Sequence, residues 1–161
     1  MNNPREKLLD VAFNEIYHCG YNATSIDKIL KQASMNKGSM YHFFKSKKEL
    51  GLAVINEKVN FYIENKYSVL LKYEENICEE LLKLIKNRNN FDFTCGCKLN
   101  NLMQELSPID EDFKVALEKV YIRFENIIEE VLNKAVKNGE IKHNDTKALS
   151  MFVVASIEGC L

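Results

Sequence analysis

The sequence lacks any apolar run near the ~20 residues that a membrane-spanning helix requires. Its longest candidate, Met151 to Ile157, is far shorter, so no membrane partner is expected. The start, Met1-Asn2-Asn3-Pro4-Arg5-Glu6, has no basic stretch followed by an apolar one. No secretory signal is therefore predicted, and the default location is cytoplasmic. Only two prolines occur, Pro4 and Pro108, both at expected helix starts. No segment alternates apolar and polar residues as a half-buried strand does, and there is no internal repeat. There is also no phosphate-binding loop, no H-E-x-x-H motif and no nucleophile spaced with a base; His18, His42 and His143 are scattered. These absences argue against an enzyme, and no cofactor or metal site is expected. The cysteines number five (Cys19, Cys78, Cys95, Cys97 and Cys160). An odd count without a signal speaks against a disulfide framework and for reduced thiols.

What is present is helical. The 161 residues suffice for one compact domain or two small ones, and 46% hydrophobic with 28% charged residues is an ordinary globular composition. Leu8, Leu9, Ala12, Phe13, Ile16 and Tyr17 recur at helical spacing and predict a first helix over about 4–19, ended by Gly20. Thr24 is expected to begin a second helix, with Asp27 completing a variant capping box and Ile26, Ile29, Leu30 and Ala33 buried. Asn36 can cap a third helix running to about Phe44. Ser46-Lys47-Lys48-Glu49 is a full capping box opening a long fourth helix, 47–71. Further helices are expected over about 74–88, 95–106 and 111–138. A last one, capped by Asn144 or Asp145, covers Ala148 to Leu161 and is apolar nearly all round, so burial on most sides is expected.

The net charge of −1 is uninformative, but its distribution is not. Residues 1–50 carry eight Lys/Arg against five Asp/Glu, whereas residues 51–161 carry fourteen against eighteen. Within 24–48 there are six lysines and one acid, Asp27. A basic patch on one short segment suits phosphate contact, although charge alone favours the reading of a solvated face. The helix after the turn adds chemistry. Asn36, Lys37, Gly38 and Ser39 stand at its N-terminal end, where backbone N–H groups favour phosphate. Met40, Phe43 and Phe44 are expected to face inward, and Tyr41 and His42 the other way, with Lys47 and Lys48 beginning the next helix.

The stretch from Thr24 through Ala33, Ser34, Gly38, Tyr41, Phe44 and Lys47 to Leu50 resembles the DNA-binding domain of the TetR family of regulators. Two departures are Leu30, where the family has alanine, and Ser34, which stands for the turn glycine and is expected either in a strained left-handed conformation or in a slightly altered turn. The resemblance implies an all-α fold: a three-helix helix-turn-helix DNA-binding domain over 1–48 and a C-terminal helical ligand and dimerisation bundle over 49–161. It implies a homodimer paired through the last two long helices. Because the last apolar helix would be only the first of these, the natural protein is expected to continue beyond Leu161. Carried over by position, the DNA contacts are Thr24, Ser25, Asn36, Lys37, Gly38, Ser39, Tyr41, His42 and Lys47. Tyr41, His42 and Lys47 would position the protein on phosphates, and Lys37 and Ser39 would reach base edges in the major groove.

Residues 51–161 carry no fingerprint for a ligand. Cys95 to Ser107 resembles a G-C-x-x-G-N-L-x-x-E-L stretch of one TetR subgroup, which in that fold links the pocket to the DNA-binding domain. Pocket candidates by position are Phe61, Tyr62, Phe93, Cys97, Asn101, Tyr121, Phe124 and Phe152, each of which also serves as ordinary core. The expected function is a transcriptional regulator, a repressor released from double-stranded operator DNA by a small-molecule effector. Two alternatives stand beside it: a thiol- or metal-responsive regulator using Cys95 and Cys97, and a helical interaction protein without DNA function.

Overall fold

The computed structural model describes residues 3–160. Among the described residues the regular structure is entirely helical: α1 (Pro4–Cys19), α2 (Ile26–Ala33), α3 (Lys37–Phe43), α4 (Lys47–Ala53), α5 (Asn60–Tyr67), α6 (Ile77–Lys86), α7 (Lys98–Leu106), α8 (Glu111–Lys137) and α9 (Thr146–Gly159). The chain forms two compact units. The first comprises the chain up to Phe61 with Lys98–Glu118, and the second comprises Tyr62–Cys97 with the chain from Lys119 on. Among the described residues no helix is long and apolar enough to cross a membrane.

In the first unit α1 begins on Asn3, whose side chain accepts from the Arg5 N–H at 3.1 Å, with Pro4 at the position where a missing N–H costs nothing. It ends at Gly20, at φ 82°. Its buried face of Leu8, Leu9, Ala12 and Ile16 lies in the unit's core with Ile29, Leu30, Ala33, Met40, Phe44 and Leu50. Each fully buried large aliphatic chain contributes about 1.5–3 kcal/mol. At the edge of this core Arg5 grips Glu57 through two bonds (2.8 and 2.5 Å), and Lys58 pairs with Asp10 (2.6 Å) and Glu6.

The expected fourth helix is not uniform. It begins as α4 under Ser46, which accepts from the Glu49 N–H at 3.1 Å. Between Val54 and Val59 the backbone widens into a π-helical segment before α5 resumes, and a 3₁₀ stretch follows at Ser68–Lys72. Hydrophobic periodicity reads all of this as one helix, because the buried positions Val54, Ile55, Val59 and Ile63 persist through the change in winding.

In the second unit Tyr67 stacks on Phe124 with ring centroids 4.2 Å apart. Asn76 adopts a left-handed conformation before α6 and offers no side-chain cap; Glu140 supplies one from 62 residues away, accepting from the Cys78 N–H at 2.9 Å. Expected helix 95–106 starts only at Lys98. Asp92 turns the chain by accepting from the Thr94 and Cys95 amides, and Gly96 sits at φ 76°. Asp145 caps α9 through the Ala148 N–H at 2.9 Å.

α9 departs from expectation. It buries one face, with Ser150, Val154, Ile157 and Glu158, and leaves Met151 and Phe152 exposed, the latter 70% so. The described part of a single chain covers only half of this apolar helix. Leu161, the end of the expected helix, lies outside the described residues.

Candidate nucleic-acid interface

The basic segment folds as two short helices around a tight turn. Ser25, not Thr24, caps α2, accepting from the Lys28 N–H at 3.2 Å. Thr24 is only 1% exposed and its hydroxyl donates to the Gly20 carbonyl at 2.7 Å, which locks the α1–α2 corner. Two adjacent hydroxyl residues compete for the cap, and the carbonyl left at the end of α1 claims the first. Ser34 takes the left-handed conformation (φ 56°, ψ 44°) in the turn where the family pattern has glycine.

In α3, Asn36 Oδ1 accepts from both the amide (2.8 Å) and the hydroxyl (3.2 Å) of Ser39. Met40 is fully buried and Phe44, just past the helix, nearly so; they hold α3 on the core. The opposite side is open. Tyr41 is 51% exposed, and Lys37, Gly38, Ser39 and His42 stand beside it. Gly38, Ser39 and His42 line a shallow depression of about 450 Å³ with Met35 and Phe43. Thus the residues expected to reach DNA separate into an outward set (Lys37, Ser39, Tyr41, His42) and a set that shapes the backbone (Thr24, Ser25, Asn36).

The lysines separate likewise. Lys28 pairs with Glu15 (2.5 Å), Lys37 with Asp27 (2.9 Å), and Lys48 with Asp110 and Asp112 (2.7 Å each). Lys31 and Lys45 have no ion pair among the described residues. The Lys37–Asp27 pair is exposed and weak in water, so the lysine can exchange partners at little cost. Lys47 Nζ rests 4.4 Å from the Tyr21 ring centroid and donates to the Asn22 carbonyl at 3.4 Å; partial burial lowers its pKa.

One structural residue escaped the sequence reading. Glu105 of α7 accepts from the backbone N–H groups of Tyr21 (2.9 Å) and Asn22 (2.8 Å), in the corner between α1 and α2. The same corner is packed by Phe113, edge-on to Tyr21 at 4.9 Å, and by Gly51, where a Cβ would stand 2.6 Å from the Tyr21 ring. Thus α7, through bonds to the backbone, and the start of α8, through ring packing, belong to the helix-turn-helix unit.

Of the pocket candidates, Phe61 and Asn101 are exposed and lie in the first unit. Phe93 and Phe152 share an apolar cleft of about 210 Å³ in the second unit with Ile85, Phe91, Val153 and Ile157. Tyr62, Cys97 and Tyr121 lie around Glu158, and Phe124 is fully buried under Tyr67. Burial pushes the Tyr62 phenol up to about 12, raises Tyr121, and raises Glu158 against the opposing hydrogen bond with Cys97. Among the described residues no group of three His, Cys, Asp or Glu is placed to hold a metal.

A helix-turn-helix in the first unit and an all-helical second unit define a class, and comparison with known proteins defines it further. Residues 8–54 match the model for bacterial regulatory proteins of the tetR family, and residues 75–161 match the LmrA/YxaF-like transcriptional regulator C-terminal domain. An uncharacterized HTH-type transcriptional regulator in the lacX 3′ region of Lactococcus lactis subsp. lactis is 33% identical over all of this chain and 83% of that relative. The crystal structure of E. coli NemR in its reduced form superposes with a TM-score of 0.87 at 23% identity, over 97% of this chain and 83% of that one. The regulatory protein TetR from Rhodobacter sphaeroides superposes with a TM-score of 0.80 at 26% identity, over 94% and 85%. The chain belongs to the TetR family of transcriptional regulators. Members of this family are DNA-binding repressors, typically controlled by small molecules.

Proposed function

We propose that this protein is a cytoplasmic repressor that binds a two-fold operator as a homodimer and is released by a small molecule held in its second unit. The observation that carries the DNA-reading assignment is the outward face of α3: Lys37, Tyr41 and His42 are exposed, with the half-buried Ser39 beside them, on a helix pinned by Met40 and Phe44. Helix α3 enters the major groove, with Lys37 and Ser39 at base edges and Tyr41, His42 and Lys47 on phosphates. Thr24, Ser25 and Asn36 fix the backbone on which those contacts depend, and Gly38 keeps it close to the groove. The exposed apolar face of α9, with Met151 and Phe152, supports pairing with a second copy.

Effector release needs only a few kcal/mol of coupling. Lys37→Ala and Tyr41→Ala test the assignment. Each is expected to weaken operator binding by about 10-fold or more while the helical melt and the dimer persist. Unchanged binding in both would leave a helical interaction protein as the reading.

The thiol-responsive alternative meets an obstacle at Cys97, which is buried away from solvent-borne oxidants and hydrogen-bonds the Glu158 carboxyl. Alkylation that leaves operator affinity and effector response intact would remove it.

A further inference from the structure

Glu158 is out of place on α9. It is the one acidic residue of a predominantly apolar helix, and it faces inward, 6% exposed, on the same face as Val154 and Ile157. Its carboxyl hydrogen-bonds Cys97, while Oε2 has no hydrogen-bond partner among the described residues. Native proteins rarely leave a buried carboxylate oxygen unpaired, because desolvating it without compensation is costly. Three phenols, of Tyr62, Tyr67 and Tyr121, lie close enough to feel its charge. Lys66 also acts on it, but the Lys66 ammonium donates to the Asn90 carbonyl (2.6 Å) and the Tyr62 hydroxyl (3.0 Å) and rests 3.9 Å over the Phe91 ring. Ile157, the neighbouring residue, stands in the wall of the apolar cleft with Phe91, Phe93 and Phe152.

We propose that Glu158 is the anchor of the effector site, and that the effector is a hydrogen-bond-donating organic cation with an apolar body. This rests on the effector-responsive reading above. An ammonium or amidinium group supplies the donor that Oε2 lacks, in a charge-assisted bond about twice as strong as a neutral one. The tyrosine rings add cation–π attraction. The apolar body has the cleft beside Ile157 to fill. Anionic ligands meet a buried carboxyl and gain nothing from it. A metal ion is a poor occupant, since no three suitable ligands converge among the described residues.

The test is calorimetric titration of the purified protein with three probes on one scaffold: phenylbutylamine, phenylbutanol and phenylbutyrate. The amine is expected to bind roughly 10- to 100-fold more tightly than the other two, the range that one charge-assisted bond provides. Glu158→Gln keeps the shape and removes the charge; with its thermal melt intact, it is expected to bind the amine no better than the alcohol. Equal binding of the three probes, no binding of any, or an amine preference that survives Glu158→Gln would overturn the assignment. A gel shift with wild-type protein separates this from the broader reading. If the amine binds through Glu158 but leaves operator occupancy unchanged, the anchor stands and effector release through it fails.

Discussion

The bond between α7 and the α1–α2 corner invites a direct perturbation. Glu105 accepts two amide hydrogens at 2.9 and 2.8 Å, one from the half-buried Tyr21 and one from the exposed Asn22. Hydrogen bonds to a charged group contribute about 1.5–3 kcal/mol each. In Glu105→Ala water can take over the Asn22 amide, so the loss falls chiefly at Tyr21 and amounts to about 2 kcal/mol. For a chain of this size that lowers the melting temperature by roughly 4–8 °C. Glu105→Gln keeps one acceptor without the charge and is expected to lose about half as much. Glu111→Ala is the control: Glu111 is exposed and, among the described residues, its ion pair is a long one with Lys114 at 3.6 Å, so its loss should stay within about 0.5 kcal/mol. Thermal unfolding followed by circular dichroism measures all three. Because the corner feeds straight into α2, operator affinity should fall in the same order. If Glu105→Ala melts with the Glu111→Ala control and binds operator like wild type, the clasp does not hold the helix-turn-helix, and the reasoning fails.

Other substitutions follow from the same geometry. Ser34→Gly relieves a left-handed serine at φ 56° and should stabilise the protein by about 0.5–1 kcal/mol, read as a higher urea midpoint; a lower midpoint would contradict the strain. Gly51→Ala drives a methyl to 2.6 Å from the Tyr21 ring and should destabilise by about 1–3 kcal/mol. A net gain, as helix propensity alone predicts, would show that the corner yields. Arg5 holds Glu57 below the usual carboxylate range, chiefly through its hydrogen bonds. The stability this confers is present above the unfolded glutamate value of about 4.3 and is lost as pH falls through the lower folded value. Arg5→Ala should therefore lose stability near neutrality and show a shallower acid dependence in denaturant titrations; an unchanged acid limb would rule the pair out as its source.

What the sequence made legible was local. Asn36, Ser46 and Asp145 cap helices with side chains that reach only three residues ahead, and Gly20 and Gly139 close helices by their own positive φ. The outward set on α3 follows from the 3.6-residue period once Met40 and Phe44 are placed inside. Long-range polar partners were not legible. Glu105 and Glu140 satisfy backbone amides 84 and 62 residues away, and nothing in their neighbourhoods marks them as caps. Glu158 was hidden by its surroundings, because a single carboxylate barely changes the pattern of an apolar helix. The Val54–Val59 π segment was hidden by its regular burial, and the open face of α9 by reading apolar character as burial within one chain.

The central claim is that α3 reads a particular DNA sequence. A gel-shift titration with duplex from upstream of the protein's own gene, against random duplex at the same salt concentration, measures it directly. A preference of about 1,000-fold or more for the upstream duplex is expected, cut by about 10-fold or more in Lys37→Ala, which removes a contact assigned to base edges. Equal affinity for the two duplexes would contradict it.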